Sequence, residues 1–404
     1  MVAQARSSER VSACMDLGAA PLQLLQGSTQ YFPALEQALQ SAKHDIWFET
    51  YLFEVAGQGQ RIAQALEEAA GRGVRVRVVL DGAGSRDFSP QWLDRWSQAG
   101  VQWHVFEPLG TGGMWFPSRW RRLHRKLCVV DARIAFCGGI NILDDWYDPH
   151  TQGVLAHPRL DFAVQLTGPE VADIRATMVQ LWSRLMIARE LRARRLGAAL
   201  DTWREREGAR WRSSKGPIRL VLRDNVSHRG DIQRSYLRAI RQARSEILIA
   251  NAFFLPASHM RRAILAAAAR GVRVRLILPG QYEYVLPYRA SRVVYRQLLH
   301  AGVDILEYHA SYLHAKVAVV DGAWATVGSS NLDPLSLLLA REANLVIQDP
   351  AFAAELQRRL EQACEAGAHA VRPQMQRQAW WDRWLDRLSY VLMRSLIFLT
   401  ARRY

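Results

Sequence analysis

Two stretches of the chain carry the same chemistry. Leu123–Asp131 and Leu313–Asp321 both read Leu-His-x-Lys-x4-Asp, which singles out His124, Lys126 and Asp131 in one and His314, Lys316 and Asp321 in the other. On a strand, residues i and i+2 point to one face, so each imidazole shares a side with an ammonium. An imidazole can attack phosphorus or move a proton, and a fixed cation stabilises the charge that develops on phosphoryl oxygens. The composition sharpens the point. Of 53 Lys+Arg only four are lysines (Lys43, Lys126, Lys215 and Lys316), and two of these stand beside the two histidines. A compact ammonium and a planar guanidinium are not interchangeable, so those positions demand a lysine. One such pair can be an accident; two at matched places imply one composite site.

Asp131 and Asp321 complete the catalytic motif, although each begins a tight turn and is expected to hold it more than to touch substrate. Folding each hairpin about that turn sets Lys126 opposite Gly138 and His124 near 139–141. It likewise sets Lys316 opposite Gly328 and His314 near Ser330 and Asn331. Small residues there would leave a hole for a phosphate, making Gly139, Asn141, Ser329, Ser330 and Asn331 candidate phosphate-binding residues. Asp161 and Glu342 occupy equivalent strand starts. They are either carboxylates that orient the histidines or ordinary surface strand ends. No group of carboxylates at metal-ligand spacing accompanies the histidines, so neither metal nor other cofactor is called for.

An internal repeat positions these residues. Gly73–Gly82 recurs as Gly271–Gly280, each after an Ala- and Leu-rich helical pattern, and Ala99–Trp103 is answered by Ala301–Ile305. Such order implies a duplication. Each half alternates helix and strand before its His-x-Lys element, which predicts an α/β fold. The expectation is two tandem α/β/α sandwich domains related by a pseudo-two-fold, with mostly parallel mixed sheets. The expected boundaries are 1–195 for the first half, 196–217 for a basic linker, 218–370 for the second half and 371–404 for an amphipathic helical tail.

At 404 residues with 49% hydrophobic content the chain can bury two proper cores. Its net charge of +15 favours polyanionic partners, nucleic acid or an anionic membrane alike. Four cysteines without CxxC spacing suggest a reducing compartment. No secretory signal or membrane span is expected from the apolar runs. The segment from Trp380, with Trp381 and Trp384, mixes aromatics and arginines with an apolar run. It suits a helix lying in a membrane interface, with packing against the core as the alternative. Trp115, Phe116 and Trp120 repeat that mix just before the first motif.

The paired motifs resemble the signature of the phospholipase D superfamily. Gly138–Asn141, Gly328–Ser336 and Arg341–Asn344 are similar to bacterial cardiolipin synthases. Arg223–Asn225 with Asp231–Leu237 resembles the B-type branch, and the likeness runs from about Leu22 onward. It implies a phosphatidyl transfer: phosphatidylglycerol donates to a histidine, and the hydroxyl of a second phosphatidylglycerol accepts, releasing glycerol and giving cardiolipin. It further implies His124 as nucleophile and His314 as acid and base, an order that the symmetry of the motifs leaves open. The implied setting is the cytoplasmic face of a bacterial inner membrane, with the protein peripheral or monotopic and no nucleic-acid partner. The rival readings are a phospholipase D that transfers to water, a nuclease of the same superfamily, and a silent membrane-binding protein.

Overall fold

The computed structural model describes residues 22–401 apart from 111–120, 149, 150, 152, 194, 196–215, 226, 282–284, 334–339 and 373–379. In the first half the strands are β1 (Leu22–Gln26), β2 (Asp45–Thr50), β3 (Arg75–Asp81), β4 (Gln102–Phe106), β5 (Lys126–Val130), β6 (Ile134–Gly138), a small ribbon of β7 (Tyr147–Asp148) and β8 (Gly153–Val154), and β9 (Phe162–Thr167). Helices α1 (Gly27–Ser41), α2 (Gly57–Gly71) and α3 (Pro90–Ala99) separate the first four strands, and α4 (Glu170–Arg192) follows β9. The second half repeats the plan with β10 (Ile218–Arg223), β11 (Glu246–Asn251), β12 (Arg273–Pro279), β13 (Asp304–Tyr308), β14 (Lys316–Val320), β15 (Trp324–Gly328), β16 (Glu342–Ile347) and β17 (Ala368–Ala370). Its helices are α5 (Asp231–Gln242), α6 (Ser258–Ala269), α7 (Val285–His300), α8 (Pro350–Gly367) and the terminal α9 (Trp380–Ala401).

The sheet orders are β1-β9-β6-β5-β2-β3-β4 and β10-β16-β15-β14-β11-β12-β13-β17. Both are mixed, but parallel pairing is confined to β2–β3–β4 and β11–β12–β13, a smaller share than the sequence suggests. Those strands are joined by crossover helices. The motif strands turn back directly into β6 and β15, and a short turn can only make an antiparallel pair. The edge strands β1 and β10, absent from the expected order, pair antiparallel to β9 and β16.

Alternation along the motif strands explains why both are apolar throughout. Leu127 and Val129 of β5 meet Val317 and Val319 of β14 in one core that also takes in Ile174 and Met178 of α4 and Leu356 of α8. Cys128 and Val130 face the other way, toward α1, α2 and α3, and Ala318 and Val320 do the same toward α5, α6 and α7. The halves are therefore joined by a shared hydrophobic interior into which α4 and α8 pack, with α1–α3 and α5–α7 on the far faces of the two sheets.

The turn after each motif strand settles the role of its aspartate. Asp131 and Ala132 both have φ of 52°, and Asp321 and Gly322 have 52° and 62°, which gives the mirror-image turn that matches strand twist. The Asp131 carboxylate accepts the backbone N–H groups of Lys43, His44 and Asp45 at 2.8, 2.7 and 2.9 Å. Asp321 accepts those of Arg244, Ser245 and Glu246 at 2.9, 2.8 and 3.0 Å. Each lies five residues beyond its lysine, roughly 16 Å along a strand that rises ~3.3 Å per residue. Although grouped with the catalytic motif, Asp131 and Asp321 stand where they can hold the turn and not where the histidines are. They fasten the hairpin to the loop that leads into β2 or β11.

Burial pushes both carboxyls up, yet the N–H donors outweigh it and hold them below the ordinary aspartate range. Their stabilisation is complete above the unfolded-state value and is lost as pH falls through the lower folded one. Asp131→Ala should lower stability by about 1–3 kcal/mol at neutral pH, with the deficit shrinking in acid. Denaturant unfolding at two pH values checks this; activity per folded molecule should stay within twofold of wild type.

Candidate active site

Each motif reaches the other half before its strand begins. Leu123 bridges Arg341, and Leu160 bridges Leu313, both in parallel. The N–H of His124 donates to the Arg341 carbonyl at 3.0 Å, and that of His314 to the Leu160 carbonyl at 2.9 Å. The residue after each of those carbonyls is an acid. His124 Nδ1 therefore lies 2.9 and 3.0 Å from the two oxygens of Glu342, and His314 Nδ1 lies 2.6 Å from Oδ2 of Asp161. The pairing is crossed: the carboxylate that orients each imidazole comes from the opposite half. With Nδ1–H given to a carboxylate, the tautomer inferred leaves Nε2 without a proton.

Each lysine turns back onto its own motif. Lys126 Nζ donates to the His124 carbonyl at 2.7 Å and sits 5.2 Å from the Tyr51 ring centroid. Lys316 Nζ bonds the His314 carbonyl in the same way. Both side chains are buried, Lys316 completely. Burial is the main reason the Lys126 ammonium is lowered to about 7. Lys316 adds to that effect, while Glu342 and Asp161 oppose it. Lys316 falls to about 8, again through burial, against the pull of Asp161 and Glu342. His124 is lowered by burial and the two lysines despite Glu342, and His314 is driven well below its usual value by burial, both lysines and His124. Asp161 is raised to about 6 by burial, against Lys316 and the Phe162 N–H. These side chains therefore hold positive charge reluctantly, and an anion beside them would favour it.

The small residues opposite the motif do a different job from the one their size suggests. Lys126 does pair with Gly138. A Cβ on Gly139, however, would come 2.4 Å from Oδ1 of Asp161, and one on Gly328 2.3 Å from Cγ of Asn344. The space beside Gly139 is taken by the carboxylate that orients His314, so its assignment to phosphate binding is corrected. At the matching place in the second half, the Ser329 hydroxyl donates to Glu342 and is fully buried. It supports the acid and is not a phosphate ligand. Ser330 donates its N–H to Asn344 at 3.2 Å. Asn141 and Asn331 are buried in the turns that follow the hairpins, and Oδ1 of Asn141 has no partner among the described residues.

Two residues of the site escaped the sequence reading. Tyr51, just after β2, sets its ring edge on His124 at 4.8 Å between centroids. Asp81, at the end of β3, accepts the Leu123 N–H at 2.7 Å and Arg122 Nη1 at 3.2 Å, which holds the peptide entering the first motif. The repeat carried a signal for Asp81, because the second copy has Pro279 there. Trp115, Phe116 and Trp120 lie outside the described residues.

Two halves that share one interior and cross their acids at a pair of His-Lys motifs define a phosphoryl-transfer enzyme with a single composite site. The family described as cardiolipin synthase, PLD-like domain, matches residues 35–149 and 236–364. Cardiolipin synthase B of Escherichia coli is 37% identical over 376 residues, covering 92% of this chain and 87% of that protein. Cardiolipin synthase A of Cronobacter sakazakii is 30% identical over 339 residues, covering 83% and 67%. The crystal structure of phosphatidylserine synthase from Haemophilus influenzae superposes with a TM-score of 0.66 at 14% identity, over 93% of this chain and 94% of that one, a likeness of fold. The chain belongs to the cardiolipin synthase family of the phospholipase D superfamily.

An oxyanion between the lysines should restore their protons. At pH 8, calorimetric titration with sulfate in buffers of different ionisation heat should show uptake on the order of one proton per anion, reduced in Lys126→Met. Binding without proton uptake would contradict the assignment.

Proposed function

We propose that this chain is a cardiolipin synthase that joins two phosphatidylglycerol molecules through a phosphatidyl-histidine. The observation that carries the reading is the pair of imidazoles, each backed by the other half's acid and flanked by buried lysines. Nε2 of His124 attacks the donor phosphorus, and the bond to the headgroup oxygen breaks. With the negative phosphate beside it favouring the imidazolium, His314 is protonated and gives its proton to that oxygen, and glycerol leaves. Neutral His314 then takes the proton of the acceptor's hydroxyl as its oxygen attacks phosphorus, and the P–N bond breaks to give cardiolipin. Lys126 and Lys316, with the amides of Asn141 and Asn331, hold the non-bridging oxygens, so charge gained in each transition state meets fixed donors.

The two acids differ in a way that supports this order. Glu342 is braced by the Ser329 hydroxyl as well as by His124, which suits a fixed orienter of the nucleophile. Asp161 has glycine at the matching place and is raised to about 6, so the Asp161–His314 pair is the one poised to exchange a proton near neutrality. On this reading residues 1–195 and 218–370 act as the two halves, joined by 196–217, and 371–404 forms the membrane-surface tail.

The surface of α9 supports a lipid partner. Asp386, Ser389 and Met393 are buried on the side facing α7, where Arg289 meets Asp386 at 3.2 Å and Asp382 at 3.4 Å. Trp381, Trp384, Leu385, Leu388, Val391 and Leu392 form an exposed stripe at helical spacing. No helix among the described residues is long and apolar enough to cross a membrane. The stripe, with the exposed Arg387 on the same helix, fits a helix lying on an anionic bilayer, and hence a peripheral protein at the bacterial inner membrane.

Mass-spectrometric lipid analysis with phosphatidylglycerol vesicles tests the transfer. Cardiolipin and glycerol are expected; phosphatidic acid as the dominant product would replace transfer by hydrolysis. His124→Ala and His314→Ala should each slow turnover by about 10²–10⁴-fold. Lys126→Arg should also be severely impaired, since a planar fork cannot occupy the ammonium's place. Wild-type turnover in Lys126→Arg would sink the argument about lysine. Replacing Trp381 and Trp384 together by serine should weaken sedimentation with anionic vesicles roughly tenfold or more, while activity on detergent-dispersed substrate persists.

A further inference from the structure

A second concentration of positive charge lies outside the histidine site. A cavity of about 150 Å³ opens between α4 and the ends of β10 and β16, lined by Arg125, Arg184, Arg223 and Arg341, with Asp224 and the exposed Ser227 toward its mouth. Its volume is several times the ~30 Å³ of a water, so it admits a tetrahedral oxyanion with a substituent. Arg125 is held by Glu49, whose Oε1 lies 2.9 Å from Nη2. Arg223 is only 3% exposed, its Nη1 bonds the Ala340 carbonyl, and its Nε has no partner among the described residues. Arg341 lies 5.8 Å above the Phe106 ring centroid. Four guanidiniums around one cavity face three carboxylates, Glu49, Asp224 and Glu342. Burial, and then the repulsion of Arg125 and Arg184, lowers Arg341 to about 10, and Arg223 falls equally far, chiefly through burial. Buried charge of one sign is costly unless an opposite charge joins it.

The cavity also breaks the pseudo-symmetry. In the second half Arg223 pairs in register with Glu342. In the first half Gly27 stands opposite Asp161, donating its N–H to the Asp161 carbonyl at 3.0 Å, and begins α1 at once. Nothing equivalent to the Arg223 side chain exists there. Two of the arginines touch the motifs through the backbone: Arg125 lies between His124 and Lys126, and Arg341 directly precedes Glu342.

We propose that this arginine-lined cavity is a second oxyanion subsite, separate from the histidine site, that binds one phosphate mono- or diester. Guanidinium forks match such an oxyanion in two-point hydrogen bonds. The phosphate is either free or part of an anionic lipid headgroup, and the subsite stands whether or not the transfer reaction is as described above.

The test uses the full chain carrying His124→Ala and His314→Ala, so that no turnover occurs. Calorimetric titration with inorganic phosphate should find two phosphates per chain. Adding Arg223→Gln should remove one of them, and Arg223→Lys should keep part of it. Arg184→Gln at the rim should weaken the same site tenfold or more, and it decides the matter if Arg223→Gln does not fold. Dihexanoyl phosphatidylglycerol, below its micellar concentration, identifies the source. Displacement of the Arg223-dependent phosphate marks a lipid headgroup, and retention of that phosphate marks the free ion. A single phosphate per chain, untouched by the arginine variants, overturns the inference. Lipid products of the protein with both histidines intact report on transfer alone, so the two readings fail separately.

Discussion

The crossed hydrogen bonds between each histidine and the other half's carboxylate are the constraint on which the rest depends. Neither half can orient its own imidazole. The shared hydrophobic interior is therefore part of the site, because a slip of one sheet against the other would part both rings from their acids. A charge-assisted hydrogen bond of this kind contributes ~1.5–3 kcal/mol, and the surrounding core keeps water from competing for it. The duplicated fold supplies the geometry at little extra cost. A pseudo-two-fold that brings one motif to the other's acid brings the second pair together automatically.

Symmetry is then broken where chemistry requires two roles. Glycine at 139 admits the shorter Asp161, while Ser329 steadies the longer Glu342. One carboxylate has its proton affinity raised to about 6, and the other is held in place by a serine hydroxyl. Tyr51 edges only His124, and Asp81 tethers only the peptide before it, with Pro279 at the matching position. These differences are small against the shared framework, yet each falls on a residue that touches a histidine or its support.

Local features of this arrangement were legible in the sequence. The motifs, the hairpin register that sets Lys126 against Gly138 and the alternation of helix and strand follow from spacing and turn chemistry. The partners of the histidines were visible as candidates only, because Glu342 is 218 positions from His124 and no local rule links them. Asp131 and Asp321 belong to the same repeated motif, yet their carboxylates serve backbone N–H groups at the far end of the strand, a role that the turn chemistry of the sequence already suggested. Gly139 misled: smallness says that something comes close, not what it is. The strands β1 and β10 were missed as short edge segments whose pairing is entirely non-local.

The scarcity of lysine has a practical consequence. At neutral pH an ordinary surface amine is almost wholly protonated and reacts slowly with electrophiles, whereas an amine whose proton affinity has fallen to about 7 is half in its nucleophilic form. With only four lysines in the chain, a small acylating or carbamoylating reagent that reaches Lys126 would meet little competition from other side-chain amines. Any anionic occupant that returns the proton would shield Lys126 from such a reagent.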